Sequence, residues 1–180
     1  QDKADAGRAE LTVTTMLSIT TGDASLRLRT TITDAAGRTV ARDETAATGS
    51  SVSQRLAVDR PNLWQGRENP YIYDVRVELM RGQQVIDCVT QHTGLRSFSV
   101  DAERGFMLNG RPYPLYGFNR HEDFKGYGSA MGRSQHETDM QLIMESGATM
   151  VRLSHYPQGE TIYNLSDERG IVLWSEIALC

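Results

Sequence analysis

Thr149-Met150-Val151-Arg152-Leu153-Ser154-His155-Tyr156-Pro157 opens as a mostly apolar run and ends in a polar cluster closed by proline. A run of this kind suits a strand covered on both faces, as in a parallel sheet, better than a half-wet antiparallel one. The flanks carry the matching helices. Upstream, Ser134-Gln135-His136-Glu137 has the form of a capping box, with Ser134 at the N-cap and Glu137 three residues on. Met140, Ile143 and Met144 follow at helical spacing, and Gly147 stands where a helix stops. Downstream, residues 161–169 read as a second helix with Ile162 and Leu165 on one side and Gly170 behind it. Residues 171–177 form a further apolar strand, and an earlier one is expected at 113–118. The order is β-α-β-α-β. It begins both a (β/α)8 barrel and a doubly wound sheet, and periodicity does not separate the two.

The first part of the chain has a different period. Leu11, Val13, Leu17 and Ile19 alternate with Thr12, Thr14, Ser18 and Thr20, and Leu26, Leu28 and Ile32 alternate with Arg27, Arg29 and Thr33. Alternation of this kind buries one face of a strand and wets the other. Asp34-Ala35-Ala36-Gly37 reads as a hairpin turn, and Arg81-Gly82 separates two later runs. Further strands are expected at 40–44, 52–58, 71–80 and 85–93. About seven short strands with turn signals and no helical period predict an immunoglobulin-like β-sandwich over residues 1–100. Residues 101–180 then hold the β/α part. Trp64, Tyr71 and Tyr73 read as core or domain-interface aromatics, and His92 and His136 as surface residues.

Polar residues gather where the three strands of the second part end: Asn119-Arg120-His121-Glu122-Asp123, then Arg152-Leu153-Ser154-His155-Tyr156-Pro157, then Trp174-Ser175-Glu176. In parallel α/β folds the strand-to-helix loops converge at that end and build the active site. His121 and His155 recur at equivalent positions. Arg152 has a structural alternative, as a buried cation paired with Glu122 or Glu176, and Glu176 has one as the partner that orients Arg152. A zinc reading of His121-Glu122 lacks the second His four residues on. Gly126 and Gly128 follow no strand at the spacing of a phosphate loop.

Composition narrows the partners. The chain has 180 residues, 39% hydrophobic and 23% charged, with net charge −4. No basic patch points to nucleic acid, and no apolar stretch is long enough to span a membrane. Two cysteines, Cys88 and Cys180, form neither a disulfide framework nor a metal-ligand spacing. Gln1-Asp2-Lys3 carries no initiator Met, and the two ends together suggest a segment cut from a longer protein.

Four ordered motifs resemble glycoside hydrolase family 2, the β-galactosidases, β-glucuronidases and β-mannosidases: Phe106-Met107-Leu108-Asn109-Gly110-Arg111-Pro112, Gly117-Phe118-Asn119-Arg120-His121-Glu122-Asp123, Val151-Arg152-Leu153-Ser154-His155-Tyr156-Pro157 and Asp167-Glu168-Arg169-Gly170-Ile171. Pro61-Asn62-Leu63-Trp64, Glu68-Asn69-Pro70-Tyr71-Ile72-Tyr73 and Gly94-Leu95-Arg96 extend the resemblance into the sandwich. It implies an immunoglobulin-like sandwich followed by an incomplete (β/α)8 TIM barrel, preceded in the family by a sugar-binding jelly roll. It implies a retaining, exo-acting enzyme whose two catalytic carboxylates, about 5–5.5 Å apart, lie beyond Cys180, so that this segment alone is inactive. His121, Arg152 and His155 match positions lining the sugar subsite, and Asn119 and Glu176 join them as expected substrate-binding residues.

Asn119-Arg120-His121 resembles β-galactosidases more than β-glucuronidases, which carry Lys after the Asn, and a β-galactoside is the expected substrate. A β-glucuronidase, a β-mannosidase or a non-catalytic carbohydrate-binding module are the alternatives. Two departures weigh on this. Cys180 stands where many β-galactosidases have a magnesium-ligating Glu, which puts magnesium in doubt, and Ser175 replaces a usual Asp. No other cofactor is expected. The exposed barrel strands suggest a homo-oligomer, and the resemblance suggests a bacterial enzyme, periplasmic or cytoplasmic.

Overall fold

The computed structural model describes residues 3–18 and 23–178; the expectations for Ile19, Thr20 and Cys180 lie outside them. The chain divides into two compact units. Residues 1–63 and 71–97 form one, and residues 64–70 and 98–180 form the other.

The first unit is the immunoglobulin-like sandwich. Its described strands are β1 (Lys3–Ala4), β2 (Arg8–Met16), β3 (Leu26–Thr33), β4 (Thr39–Ala46), β5 (Ser51–Asp59), β6 (Tyr73–Arg81) and β7 (Gln84–Thr93). They make antiparallel sheets of order β1-β2-β5 and β4-β3-β6-β7. The period of two is realised literally. Leu26, Leu28, Thr30 and Ile32 of β3 are buried, as are Val52, Gln54, Leu56 and Val58 of β5. Ala9 and Leu11 pack in one cluster with Ile32, Leu56, Val58, Tyr73 and Val75. Gln54 takes an apolar position in this pattern yet is fully satisfied: it accepts from Thr30 Oγ1 at 2.6 Å and donates to Leu28 O at 3.1 Å and Asp43 Oδ2 at 2.9 Å. A buried amide with its donors and acceptor paired avoids the desolvation cost of an orphan.

The second unit begins with an antiparallel meander that strand patterning does not reveal: β8 (Phe98–Asp101), β9 (Gly105–Leu108) and β10 (Arg111–Pro112). Asn109 and Gly110 have φ of 50° and 78°, so this dipeptide is the tight turn joining β9 to β10. The strand expected at 113–118 is displaced for a different reason: Pro114 cannot donate to a ladder, and β11 runs over Gly117–Arg120 instead. Then follow α1 (Arg133–Glu145), β12 (Met150–Leu153), α2 (Glu160–Arg169) and β13 (Val172–Ser175). The sheet is parallel, in order β11-β12-β13.

Helix α1 does not start as expected. Its N-cap is Gly132, and the Gln135 side chain accepts the Gly132 N–H at 3.0 Å. Glu137 instead pairs with Arg133 one turn back, at 2.7 Å. The box thus sits two residues earlier, on a glycine cap without a side-chain oxygen. Met140, Ile162 and Leu165 from the helices pack on Val151 and Leu153. The excursion 64–70 serves the other ends of both helices. Trp64 Nε1 donates to Asp167 O at 2.8 Å, and Arg67 donates to Met144 O and Ala148 O, each at 3.1 Å. Late carbonyls of a helix lack partners within it. That need explains why Trp64, 2% exposed, is core of the second unit, while Tyr73 is core of the first and Tyr71 packs against that core.

Candidate active site

Strand pleat decides which residues of the parallel sheet can meet a ligand. Asn119, Arg152 and Trp174 are in register on neighbouring strands, as are Arg120, Leu153 and Ser175 one residue later. Successive side chains point to opposite faces, so the two rows lie on opposite sides of the sheet. Leu153 packs against the helices, and Ser175 Oγ meets Tyr163 Oη of α2 at 2.9 Å. The second row therefore faces the helices, and the first faces away from them.

On that open face the side chains converge. Arg152 donates through Nε to Glu176 Oε1 at 2.8 Å and through Nη1 to Asn119 Oδ1 at 3.2 Å and Ser154 Oγ at 3.3 Å. His155 Nδ1 lies 3.0 Å from Glu176 Oε2. An ionised carboxylate only accepts, so Nδ1 carries the proton. The 3.3 Å approach of Arg152 Nη2 to the same nitrogen is then a packing contact. In the neutral ring Nε2 is left as an acceptor. His121 meets the His155 ring edge-on, with centroids 5.4 Å apart, and Tyr156 at 6.3 Å. Burial pushes the Glu176 carboxyl up, but the hydrogen bonds from Arg152 and His155 outweigh it and hold the group below its ordinary range. Of the two partners open to Arg152, the structure selects Glu176. All five expected residues, Asn119, His121, Arg152, His155 and Glu176, lie in this one cluster.

Arg120 is on the other side. It is 7% exposed and salt-bridged to Asp139 at 2.8 Å. It also donates to Gln158 Oε1 and, at 3.0 Å, to His136 Nδ1. His136, expected at the surface, is 3% exposed. The correction has a simple cause: residues 136, 140 and 143 share a helical face, so His136 continues the stripe of Met140 and Ile143 into the core. That spacing was the available signal. Desolvation, then the Arg120 charge, pulls the His136 pKa down, against Glu122 and Asp139. The Glu122 carboxylate accepts the Gly159 N–H at the start of α2, at 3.1 and 3.2 Å, and faces His136 Nε2 at 3.5 Å. Acidic groups are favoured at a helix N-terminus.

Among the described residues, no group of three or more His, Cys, Asp and Glu could hold a metal ion, and no helix is long and apolar enough to cross a membrane. A sandwich followed by parallel strands, with polar side chains gathered at the strands' C-terminal ends and both helices on one face of the sheet, is the arrangement that opens a β/α barrel behind a β domain. Residues 1–96 match glycosyl hydrolases family 2, and residues 99–180 match the TIM barrel domain of glycosyl hydrolases family 2. A β-glucuronidase of Bacteroides fragilis is 36% identical over 98% of this chain and 26% of its own length. A β-galactosidase of Bacteroides ovatus is 32% identical over 91% of the chain and 20% of its own length. The crystal structure of a family 2 member from Bacteroides cellulosilyticus superposes with a TM-score of 0.90 at 31% identity, covering 98% of this chain and 24% of that one. The chain belongs to glycosyl hydrolase family 2, a family of glycosidases, and spans about a quarter of the length of the curated relatives it matches.

Proposed function

We propose that the chain is part of a retaining, exo-acting β-glycosidase and supplies one wall of its sugar subsite. The observation that carries this reading is the convergence of Asn119, Arg152, His155 and Glu176 at the C-terminal ends of three parallel strands. The cluster offers a guanidinium, an oriented imidazole and an amide on one face, groups that hydrogen-bond sugar hydroxyls, with bonds to the ring hydroxyls strengthening in the transition state. His155, fixed through Nδ1, presents Nε2 to accept from a sugar hydroxyl. Arg152 keeps Glu176 ionised and contributes positive charge beside any carboxylate brought into the barrel. Glu122 is bound to the start of α2, and Glu176 is bound to Arg152 and His155. Neither is free to serve as acid/base or nucleophile, and those roles belong to carboxylates outside this chain.

The sugar we favour is a β-glucuronide. Relatives named β-glucuronidase reach 36% identity and outnumber a named β-galactosidase at 34%, although a solved structure named putative β-galactosidase also stands at 36%, so the names favour glucuronide by number and not by identity. The residue that favoured galactose, Arg120, faces the helices and is spent on Asp139, Gln158 and His136. β-Galactoside is the second reading, carried by that named relative. The test is hydrolysis of p-nitrophenyl β-glucuronide, β-galactoside and β-mannoside by the complete polypeptide. Glucuronide should give the highest kcat/KM. Preference for galactoside would overturn the sugar assignment, and inertness toward all three would overturn the glycosidase reading.

A further inference from the structure

We propose that His136 is a positioning residue: from the helix side of the sheet, through Arg120 and Glu122, it locks together the two loops that carry His121 and His155. The inference rests on the glycosidase reading for its kinetic consequence, but its geometry stands apart from it.

Arg120 ends β11, immediately before His121. Its guanidinium reaches His136 Nδ1 at 3.0 Å, Asp139 at 2.8 Å and Gln158 Oε1. Arginine only donates, so Nδ1 of His136 accepts and the ring proton sits on Nε2. That nitrogen faces Glu122 Oε1 at 3.5 Å. Glu122 follows His121, and its carboxylate grips the Gly159 N–H that opens α2. The second loop is tied to the same assembly. Gln158 Nε2 donates to Arg120 O at 2.9 Å and to Ser154 O at 3.4 Å, and the Glu122 N–H donates to Tyr156 Oη at 3.2 Å. His121 is thus bracketed by Arg120 and Glu122, and His155 by Ser154 and Tyr156. All four brackets join one network with His136 between its cation and its carboxylate.

Only a neutral imidazole can accept from Arg120 on one nitrogen while donating toward Glu122 from the other. The lowered His136 pKa agrees with that form. The Arg120 and His136 side chains are buried on the helix side of the sheet, so they can act on a ligand only by placing residues that face it. Misplacing catalytic groups by about 1 Å from a remote site costs on the order of 100-fold in rate.

The experiment compares His136→Asn and His136→Leu in the complete polypeptide, by crystal structure and by kinetics on whichever glycoside the wild type hydrolyses. Asn retains an acceptor for Arg120 and should keep the His121 and His155 rings in place with kinetics near wild type. Leu fills the space but leaves Arg120 and Glu122 without their partner. It should displace the rings and lower kcat by roughly 10- to 100-fold with a smaller change in KM. If the Leu variant does not fold, Glu122→Gln, which keeps an acceptor for Gly159, should show the same displacement and the same fall in kcat. Undisplaced rings and unchanged kcat in a folded Leu variant, or in Glu122→Gln in its place, would overturn the proposal. A wild type inert on every glycoside would sink the functional reading alone, because ring positions in the variants would still decide the positioning role.

Discussion

At the scale of single residues, two titrating groups give opposite faces of the sheet different pH sensitivities. His136 is held below its free value of 6.5. The unfolded chain therefore binds a proton at a pH where the folded one does not, and stability falls as pH drops below about 6.5. Thermal melts of the chain between pH 8 and 5 should show Tm falling over that range. The fall should be smaller in His136→Asn, which has nothing to titrate there. A Tm profile identical in the two proteins would remove His136 as its source. Glu176 is also depressed, from 4.5, but as an acid its stabilisation is present above that value and disappears below it. The two effects separate on the pH axis.

At the scale of elements, Gly170 is the most exacting position at a helix end. It closes α2 with φ of 77°, and a Cβ there would lie 2.3 Å from the Gly66 backbone. Gly170→Ala should lower stability by more than about 1 kcal/mol, since strain and overlap add. Denaturant midpoints measure it, and a midpoint equal to wild type would mean that the 64–70 excursion shifts freely. This position also shows what a sequence makes legible. A glycine after Ile162, Leu165 and Arg169 marks a helix end from pattern alone, and the alternation in β3 and β5 marks the sandwich just as directly. The capping box at Ser134 misled because Gly132 and Gln135 form a competing start two residues earlier, where the cap is backbone rather than side chain. The meander β8–β10 escaped because its strands are too short for a period to register, although Asn109-Gly110 announced the turn. The site was legible as three strand ends. Which residues share the open face came from the family resemblance and not from the pattern, because the strand expected at 113–118 starts at Gly117 instead, and a one-residue shift in pleat exchanges Asn119 for Arg120.

At the scale of the whole molecule, residues 64–70 make the division between the units more than a single cut. Trp64 is buried by α2 and the β9–β10 turn, and it is the only tryptophan before Trp174. A polypeptide of residues 1–97 should melt cooperatively on the strength of its own two-sheet core, while Trp64 fluoresces as a water-exposed indole. A non-cooperative melt would show that the sandwich needs the second unit. The parallel sheet presents the reverse case. β11 and β13 each have one unpaired edge among the described residues, and Phe118 and Trp174 are 54% and 59% exposed. Unpaired edges and wet aromatics favour association. We therefore expect this chain by itself to self-associate, which sedimentation at several concentrations will show as a rising mean mass; an ideal monomer would contradict it.

The central claim is that the face bearing Arg152 and His155 binds the reacting sugar. Its most direct test is kcat/KM of Arg152→Ala and His155→Ala in the complete polypeptide, with the fold verified by circular dichroism. Loss of a transition-state contact of about 2–4 kcal/mol predicts a fall of roughly 30- to 1000-fold in each. Near wild-type kcat/KM in both folded variants, on every β-glycoside the enzyme accepts, would contradict it.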